Sequence, residues 1–322
     1  MRSARSTDVA SERRVRSTTS RCHLPAVRPR AHSALSNENG SPARRGAKSR
    51  FRTDAWSPVG DTVECPSTSC GNWQRQLIIA LLSDIHGNLE ALNACLKDAG
   101  ECGATRYAFL GDFVGYGADP QKVVDIIARH AAEGAVIVKG NHDEAVEKTP
   151  LYMNESVRAV IGWTREILTR DAKAFLASLP LCVRDGQMCF VHASAAAPER
   201  WDYIDSPAAA QRSIDAAQAA YTFSGHVHDQ ELYFQSGRGK TSLFRPARGT
   251  PVPVGRHRRW LALVGSVGQP RDNNPAAAYA QFDAEHEKIV FRRVPYDHLA
   301  AARKIRDAGL PASIAYRVEK GI

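Results

Sequence analysis

Long apolar runs are scarce in this sequence of 322 residues. The apolar run that enters the first clear strand extends only from Leu77 to Leu82, whereas a transmembrane helix needs about 20 such residues. The N-terminal region also lacks the apolar core of a secretory signal. We therefore predict a soluble, cytoplasmic protein that does not span a membrane.

Cysteine pairs with C-x-x-C spacing are absent as well. The seven cysteines are Cys22, Cys65, Cys70, Cys95, Cys102, Cys182 and Cys189. An odd number without such a pair indicates neither a disulfide framework nor a zinc knuckle. We expect reduced thiols, with Cys95 inside an amphipathic helix.

Acidic residues are few in the first 75 residues, which hold 14 Lys and Arg against 6 Asp and Glu, a net charge of +8 out of +9 for the chain. The remainder is close to neutral, so the overall basicity is no evidence for nucleic-acid binding by the whole protein. Few large apolar residues and no periodicity predict that residues 1–75 form a disordered basic extension. Three interpretations stay open: translated sequence upstream of the true start, a solvated tail, or a targeting or nucleic-acid-binding arm.

The rest of the chain, residues 76–322, is predicted to form one domain in which strands and helices alternate. The first strands are expected at 76–84, 104–112 and 135–143, with helices at 88–100 and 119–131 between them. This order predicts an α/β fold with parallel strands and crossover helices. The later elements are a helix over 154–178, a hairpin over 181–192 turning at Asp185-Gly186, a helix over 206–220, a strand over 221–228, short strands to about 294 and a closing helix over 297–309.

Polar residues follow five of these strands, in the motifs SDIHGN, GDFVGYG, GNHD, VHAS and GHVH. Sheets of α/β proteins bind ligands beyond the carboxyl ends of their strands. The side chains expected there are Asp84, His86, Asp112, Asn141, His142, Asp143, His192, His226 and His228. Carboxylates with imidazoles suit Mn, Fe, Zn or Ni, and the set is large enough for two metals that share one ligand. Each motif alone is more typical of a turn, a helix cap or an ordinary histidine than of a ligand, but five in this order favour a metal centre.

The spacing within two of the motifs adds a geometric expectation. Asp84 and His86 are two residues apart at a strand end, as are His226 and His228. On an extended backbone, alternate side chains point to the same side. We therefore expect both members of each pair to reach the centre.

These five motifs resemble the five-block signature of the calcineurin-like metallophosphoesterases. The later stretch GSVGQPRDNNPAAAY, residues 265–279, resembles a block of the bacterial branch of small phosphodiesterases and phosphatases in that superfamily. The resemblance covers about residues 76–294. It implies a four-layer α/β/β/α sandwich with a two-metal site.

The resemblance also implies a role for each matching residue. Asp84, His86 and His228 would bind one metal, Asn141, His192 and His226 the other, and Asp112 would bridge the two. His142 would act with Asp112 in catalysis by protonating, or at least stabilising, the leaving alkoxide, and Asn141 and Arg271 would contact substrate. The implied cofactors are two divalent transition-metal ions, with Mn expected and Fe, Zn or Ni as alternatives. The implied reaction is hydrolysis of a phosphodiester or phosphomonoester of a small phosphorylated substrate by metal-activated hydroxide, with the diester favoured.

One block departs from the superfamily pattern. Protein phosphatases and diadenosine-tetraphosphate hydrolases carry GDxVDRG, whereas this chain has Gly115 and Tyr116 in place of the second Asp and the Arg. That Asp supports the catalytic histidine and that Arg grips phosphate, so their loss argues against a protein phosphatase of that type. Arg271 is a candidate for a replacement phosphate contact, and a plain turn role for its loop is about equally compatible with the sequence.

Two other classes of function stay as alternatives. The first is a catalytically silent scaffold with the same fold, which the complete ligand set disfavours. The second is a nucleic-acid-directed nuclease, suggested by the basic extension and by the Arg-rich stretch at 236–259. No aromatic stacking motif accompanies these basic residues, which disfavours single-strand binding.

Overall fold

The computed structural model describes residues 77–148, 153–237 and 239–322. The predicted basic extension at 1–75 lies outside these residues. Within them, no helix has both the length and the apolar character needed to cross a bilayer.

The described residues contain two six-stranded mixed sheets. The strands of the first sheet are β1 (Ile78–Leu82), β2 (Arg106–Phe109), β3 (Val136–Ile137), β9 (Val252–Pro253), β11 (Ala277–Asp283) and β12 (Lys288–Val294). Those of the second are β4 (Cys182–Asp185), β5 (Met188–Val191), β6 (Tyr221–Ser224), β7 (Gln230–Gln235), β8 (Thr241–Phe244) and β10 (Arg259–Val264). Their spatial orders are β3-β2-β1-β11-β12-β9 and β4-β5-β6-β10-β7-β8.

The described residues also contain α-helices, some of which cover the outer faces of the two sheets. They are α1 (Leu89–Glu101), α2 (Pro120–Ala132), α3 (Asn141–Glu147), α4 (Glu155–Ile167), α5 (Arg170–Ser178), α6 (Pro207–Ala217), α7 (His298–Asp307) and α8 (Ala312–Lys320). A short 3₁₀ turn, Pro198–Arg200, precedes α6.

The alternation of side chains along the strands explains the layers. In β1, Ile79 and Leu81 join a core cluster between the two sheets, whereas Ala80 and Leu82 pack with α1 and α2 on the other face. In β10, Leu261 and Leu263 likewise pack away from that central cluster, with residues of α6. Because both faces of each sheet are buried, the predicted four-layer α/β/β/α arrangement is confirmed.

The crossover prediction is confirmed for the first strands. Strand β1 pairs in parallel with β2, and β2 with β3, with α1 and α2 as the connections. In the second sheet, β5, β6 and β10 are also mutually parallel. Both sheets are nevertheless mixed, because β1 pairs with β11 in the antiparallel sense.

Two predicted elements differ at their boundaries. The strand expected at 135–143 is only two residues long, and GNHD instead opens helix α3. The carboxylate of Asp143 accepts a hydrogen bond from the Gly140 amide at 2.9 Å, which stabilises a helix start at that point. The helix expected at 154–178 is interrupted, because the Thr169 hydroxyl caps α5 by accepting from the Ala172 amide at 3.2 Å.

The hairpin and the C-terminus also need correction. Strands β4 and β5 form the predicted hairpin, but Asp185 pairs with Met188, so the turn is Gly186-Gln187 and not Asp185-Gly186. A further helix, α8, follows the predicted closing helix. It begins after Pro311, which offers no side-chain cap, so the usual sequence signal for a helix start is missing.

Candidate metal centre

The predicted ligands lie just beyond the strand ends, on backbone that is not extended. Asp84, His86, Asp112, His226 and His228 all have positive φ, between 50° and 73°. The expected extended geometry was therefore wrong, and both members of each pair reach the centre through left-handed residues. Non-glycine residues in this region cost of order 1–3 kcal/mol each and persist only where the surrounding structure holds them.

A first group of donors surrounds the end of β1. The ligand atoms of Asp84, His86 and His228 lie within 4.8 Å of one another, and all three side chains are buried. His228 Nε2 is 3.2 Å from both Asp84 Oδ1 and His86 Nε2. This is the set predicted for the first metal.

A second group adjoins it and contains Asp112, His192 and His226, again within 4.8 Å and buried. His192 Nε2 is 3.4 Å from Asp112 Oδ2 and 3.2 Å from both Asn141 Oδ1 and His226 Nδ1. Asp112 Oδ2 is also 3.8 Å from His86 Nε2. Asp112 therefore stands between the two groups, where a bridging ligand is expected.

Backbone carbonyls fix the orientation of three of the rings. The Nδ1 atoms lie 3.2 Å from Val114 O for His86, 2.6 Å from Leu110 O for His192 and 2.6 Å from Gln269 O for His228. Because a carbonyl only accepts, each Nδ1 carries the proton and donates. The Nε2 lone pair of the neutral ring then faces the centre, as in other histidine metal sites.

The charges at the centre suit a cation. Burial raises the pKa of Asp84 and of Asp112, but the neighbouring histidines, His228 first for Asp84 and His192 first for Asp112, together bring it below its usual value, so both carboxylates are ionised at neutral pH. Burial lowers the pKa of His86 well below its usual value and that of His226 to about 3. Burial acts the same way on His192, but the Asp112 carboxylate raises its pKa to about 9, so metal binding there would displace a proton.

Unsatisfied atoms test whether the donor set fits a metal. Among the described residues, Asp84 Oδ1 is buried without a hydrogen-bond partner. His86 Nε2 and His228 Nε2 also face each other at 3.2 Å, although both are acceptors when Nδ1 carries the proton. Converging buried acceptors of this kind are costly unless a cation lies among them. The residues therefore fit divalent metal ions.

His142 lies beside the ligands, and its surroundings reflect the departure in the GDFVGYG motif. Its ring is 4.9 Å from that of His86 and 4.7 Å from that of Tyr116. A Cβ at Gly115 would lie 2.4 Å from His142 Nδ1, so only glycine leaves room for the ring. His142 Nδ1 has no hydrogen-bond partner in the described residues, and burial lowers its pKa. His142 also forms a possible ligand group with His86 and Asp112.

The role of Asp143 was left open by the sequence. In the structure it connects the loop after β2 with the start of α3. Its carboxylate accepts from the amides of Asp112 at 2.8 Å, Phe113 at 2.9 Å and Gly140 at 2.9 Å. The His142 amide in turn donates to Asp112 Oδ1 at 2.8 Å. These bonds hold the second and third motifs in register, so Asp143 positions the centre.

Arg271 lies on the loop after β10, next to the ligand shell. Its Nη2 donates to Gln269 Oε1 at 3.2 Å, and the carbonyl of Gln269 holds His228. Burial raises the pKa of Tyr116 above its usual value, although the charge of Arg271 opposes this rise.

Arg317 belongs to α8, which the sequence analysis did not predict. Tyr116 shares a hydrophobic cluster with Ile314, Ala315 and Val318 of that helix. The helix end is joined to the loop that carries Arg271, because the Asn273 amide donates to the carbonyl of Gly321 at 2.7 Å. Nothing in the sequence pattern connects these distant segments.

Two aromatic residues on the segment before α6 were also missed. The Trp201 ring lies 5.9 Å from that of His192, and the Tyr203 ring lies 4.2 Å from that of His226. Their only sequence signal is a pair of aromatics in a short polar stretch after the VHAS motif.

Comparison with known proteins gives concordant matches. A family model described as calcineurin-like phosphoesterase matches residues 77–230. An uncharacterized protein of Methanocaldococcus jannaschii is 34% identical over 250 residues, which are 76% of this chain and 98% of that protein. The crystal structure of a metallophosphoesterase from Sphaerobacter thermophilus is 33% identical with a TM-score of 0.69, covering 77% of this chain and all of that one. A hypothetical protein from Pyrococcus horikoshii OT3 shares the fold at 20% identity, with a TM-score of 0.62 over 76% of this chain and 99% of its own.

Proposed function

Because this chain belongs to the calcineurin-like phosphoesterase family, we propose that it hydrolyses phosphate esters with two metal ions and prefers phosphodiesters to phosphomonoesters. The observation that carries the proposal is the pair of buried donor groups on either side of Asp112. Asp84, His86 and His228 would hold one metal, and Asn141, His192 and His226 the other. Two divalent ions, Mn²⁺ in our proposal, would activate water as the nucleophile and stabilise the charge on the phosphoryl oxygens.

The chain's own residues have definable tasks in this reaction. Asp112 shares its carboxylate between the two donor groups, and its Oδ1 accepts from the His142 amide at 2.8 Å. That bond fixes the helix that carries both Asn141 and His142. Catalytic groups are effective only when they are held close to the productive geometry, and an error of about 1 Å costs about 10²-fold in rate.

We propose that His142 donates a proton, or at least a hydrogen bond, to the leaving oxygen. It is 6% exposed and packs between His86 and Tyr116, so water has little access to it. A positioned histidine contributes typically 10²–10⁴-fold by general acid catalysis. No carboxylate holds its Nδ1 in the described residues, so packing against Gly115 and Tyr116 takes over the orienting function.

Positive charge for an anionic substrate comes from arginines beside the centre. Arg271 keeps its proposed role in phosphate binding, because Gln269, to which its Nη2 donates, holds His228 through its carbonyl. We add Arg317 because its helix packs against Tyr116 and is joined to the Arg271 loop by the bond from the Asn273 amide to the Gly321 carbonyl. Guanidinium groups bind phosphate oxygens through forked, charge-assisted hydrogen bonds. The proposed partner is accordingly a small phosphorylated substrate.

The test combines metal analysis with a pair of substrates. The purified full chain is loaded with Mn²⁺, its metal content is measured, and the turnover of bis-p-nitrophenyl phosphate is compared with that of p-nitrophenyl phosphate. About two metals per chain with faster turnover of the diester is the expected result. Faster turnover of the monoester would refute the diester preference, and a chain with neither metal nor turnover would refute the enzyme proposal in favour of a scaffold.

A further inference from the structure

The segment between β5 and α6 is anchored over the second donor group. Trp201 is 7% exposed, and its indole Nε1 donates to Glu144 Oε2 on α3 at 2.9 Å. Ile204 is 1% exposed and joins the cluster beneath α6. Trp201 also keeps a left-handed backbone with φ of 57°, a conformation that persists only where the surroundings impose it. The backbone on both sides of Tyr203 is therefore held in place.

Tyr203 differs from these neighbours because it points outward. Its side chain is 54% exposed, although the ring is stacked on that of His226 with 4.2 Å between centroids and 24° between planes. His226 Nδ1 in turn lies 3.2 Å from His192 Nε2. The result is an exposed aromatic ring in direct contact with a candidate metal ligand.

An alternative explanation for the position of the Tyr203 ring is that it orients His226. That role needs one ring face only, and it does not explain why an anchored segment leaves more than half of a large aromatic surface in water. Aromatic rings exposed beside a phosphate-binding site stack well on nucleobases, because every base offers a π face. Arg271, whose Nη2 donates to Gln269 beside the His228 ligand, adds positive charge close to the site.

We infer that Tyr203 is a stacking platform for an aromatic or heterocyclic group of the substrate, so that the preferred substrates are nucleotide-like phosphate esters. The inference rests on the proposed function insofar as the phosphate of such a ligand would lie at the metal ligands. It adds a second contact region to the site, which selects the organic part of the ester.

The test compares two ligands that differ only in the base. We would measure the dissociation constants of the 5′-phosphonate analogues of adenosine monophosphate and of ribose 5-phosphate by calorimetry, using the Mn²⁺-loaded full chain. A P–C bond replaces the ester bond in both, so neither is hydrolysed. The variants are Tyr203→Leu, which removes the ring, Tyr203→Phe, which keeps it, and Phe244→Leu, which removes an aromatic ring that is 43% exposed on edge strand β8.

The wild type should bind the adenosine analogue about tenfold more tightly than the ribose analogue, as expected for one base stacked on one aromatic side chain. Tyr203→Leu should lose this preference while binding the ribose analogue as before, and Tyr203→Phe and Phe244→Leu should keep it. If Tyr203→Leu bound both phosphonates more weakly by the same factor and also lost metal, the role of Tyr203 would be to position His226, and the inference would be overturned. A preference that survives in Tyr203→Leu, or a wild type that lacks the preference or binds neither ligand, would overturn it too. These readouts need no turnover, so a failure of the proposed hydrolysis is detected separately.

Discussion

Gly115→Ala provides a direct test of how this chain orients His142 without a supporting carboxylate. The ideal Cβ of residue 115 would lie 2.4 Å from His142 Nδ1, whereas ordinary contacts of a Cβ begin near 3.4 Å. The imidazole must then move by about 1 Å, or the loop must open by a similar distance. Both movements displace the proposed proton donor from the leaving oxygen.

The expected effect on turnover follows from that displacement. A misplacement of about 1 Å costs about 10²-fold in rate, which corresponds to about 2.7 kcal/mol in the activation free energy. The substitution also places alanine at a φ of +86°, which costs roughly 1–2 kcal/mol in folding stability. The two effects need to be separated.

Gly134→Ala is the matched control. Gly134 has a φ of +89° but no atom within 4 Å of its ideal Cβ, so it carries the same backbone cost without the contact. We would measure kcat on bis-p-nitrophenyl phosphate, metal content and the free energy of unfolding for both variants. Both should lose similar stability, and only Gly115→Ala should lose about 10²-fold in kcat while retaining its metal.

Two results would refute this reasoning. Full turnover in Gly115→Ala would mean that His142 has room to move without consequence, and that its contact with Gly115 does not orient it. An equal loss of kcat in Gly134→Ala would mean that general destabilisation explains the effect. Gly115→Asp restores the residue of the GDxVDRG pattern. It should lose turnover as Gly115→Ala does, because it adds the same Cβ.

Three further predictions concern the metal centre and the fold. Asp112→Asn and His142→Ala should each abolish most turnover, but only Asp112→Asn should lower the metal content measured by elemental analysis; a loss of metal in His142→Ala would make His142 a ligand. Treatment with a chelator should abolish turnover and lower the Tm, and added Mn²⁺ should restore both, since a ligand that binds only the folded state stabilises it. Burial raises the pKa of Asp98, but hydrogen bonds from Arg292 and Tyr279 lower it below its usual value, so the ionised form stabilises the fold above about pH 4 and this contribution is lost as the pH falls further. Asp98→Asn should therefore lower the free energy of unfolding by about 1–3 kcal/mol at pH 7, and a difference that is as large at pH 3 would contradict the assignment.

The sequence allowed the strand ends and their chemistry to be predicted because both depend on local signals. Apolar runs that end in Asp84 or Asp112 mark buried strands and the polar edge beyond them, and parallel topology brings such edges together. The backbone conformation at those residues was not predictable from the pattern. A two-residue spacing suits extended chain, whereas Asp84 and His86 take left-handed conformations that only the surrounding loops stabilise.

The parts of the site that the sequence did not reveal depend on contacts between distant segments. Helix α8 has no capping side chain at its start, and its relation to the centre depends on packing against Tyr116, some 200 residues earlier. Tyr203 is adjacent to His226 only because Trp201 and Ile204 fix the intervening segment on the body of the protein. Neither relation leaves a periodic or motif signal.

Gly115 and Tyr116, which replace the Asp and the Arg of the GDxVDRG pattern, leave the roles of those two residues to other parts of the chain. Tyr116 is 7% exposed, lies 4.6 Å from the His86 ring, and packs in the same cluster as α8. Tyr116 therefore connects the proposed metal ligand His86 to the C-terminal helix. In our proposal the charge that the motif lost comes from Arg271 and Arg317, whose segments are joined by the bond between the Asn273 amide and the Gly321 carbonyl. Substrate recognition would therefore depend on the C-terminal helix, which lies outside the residues matched by the family model.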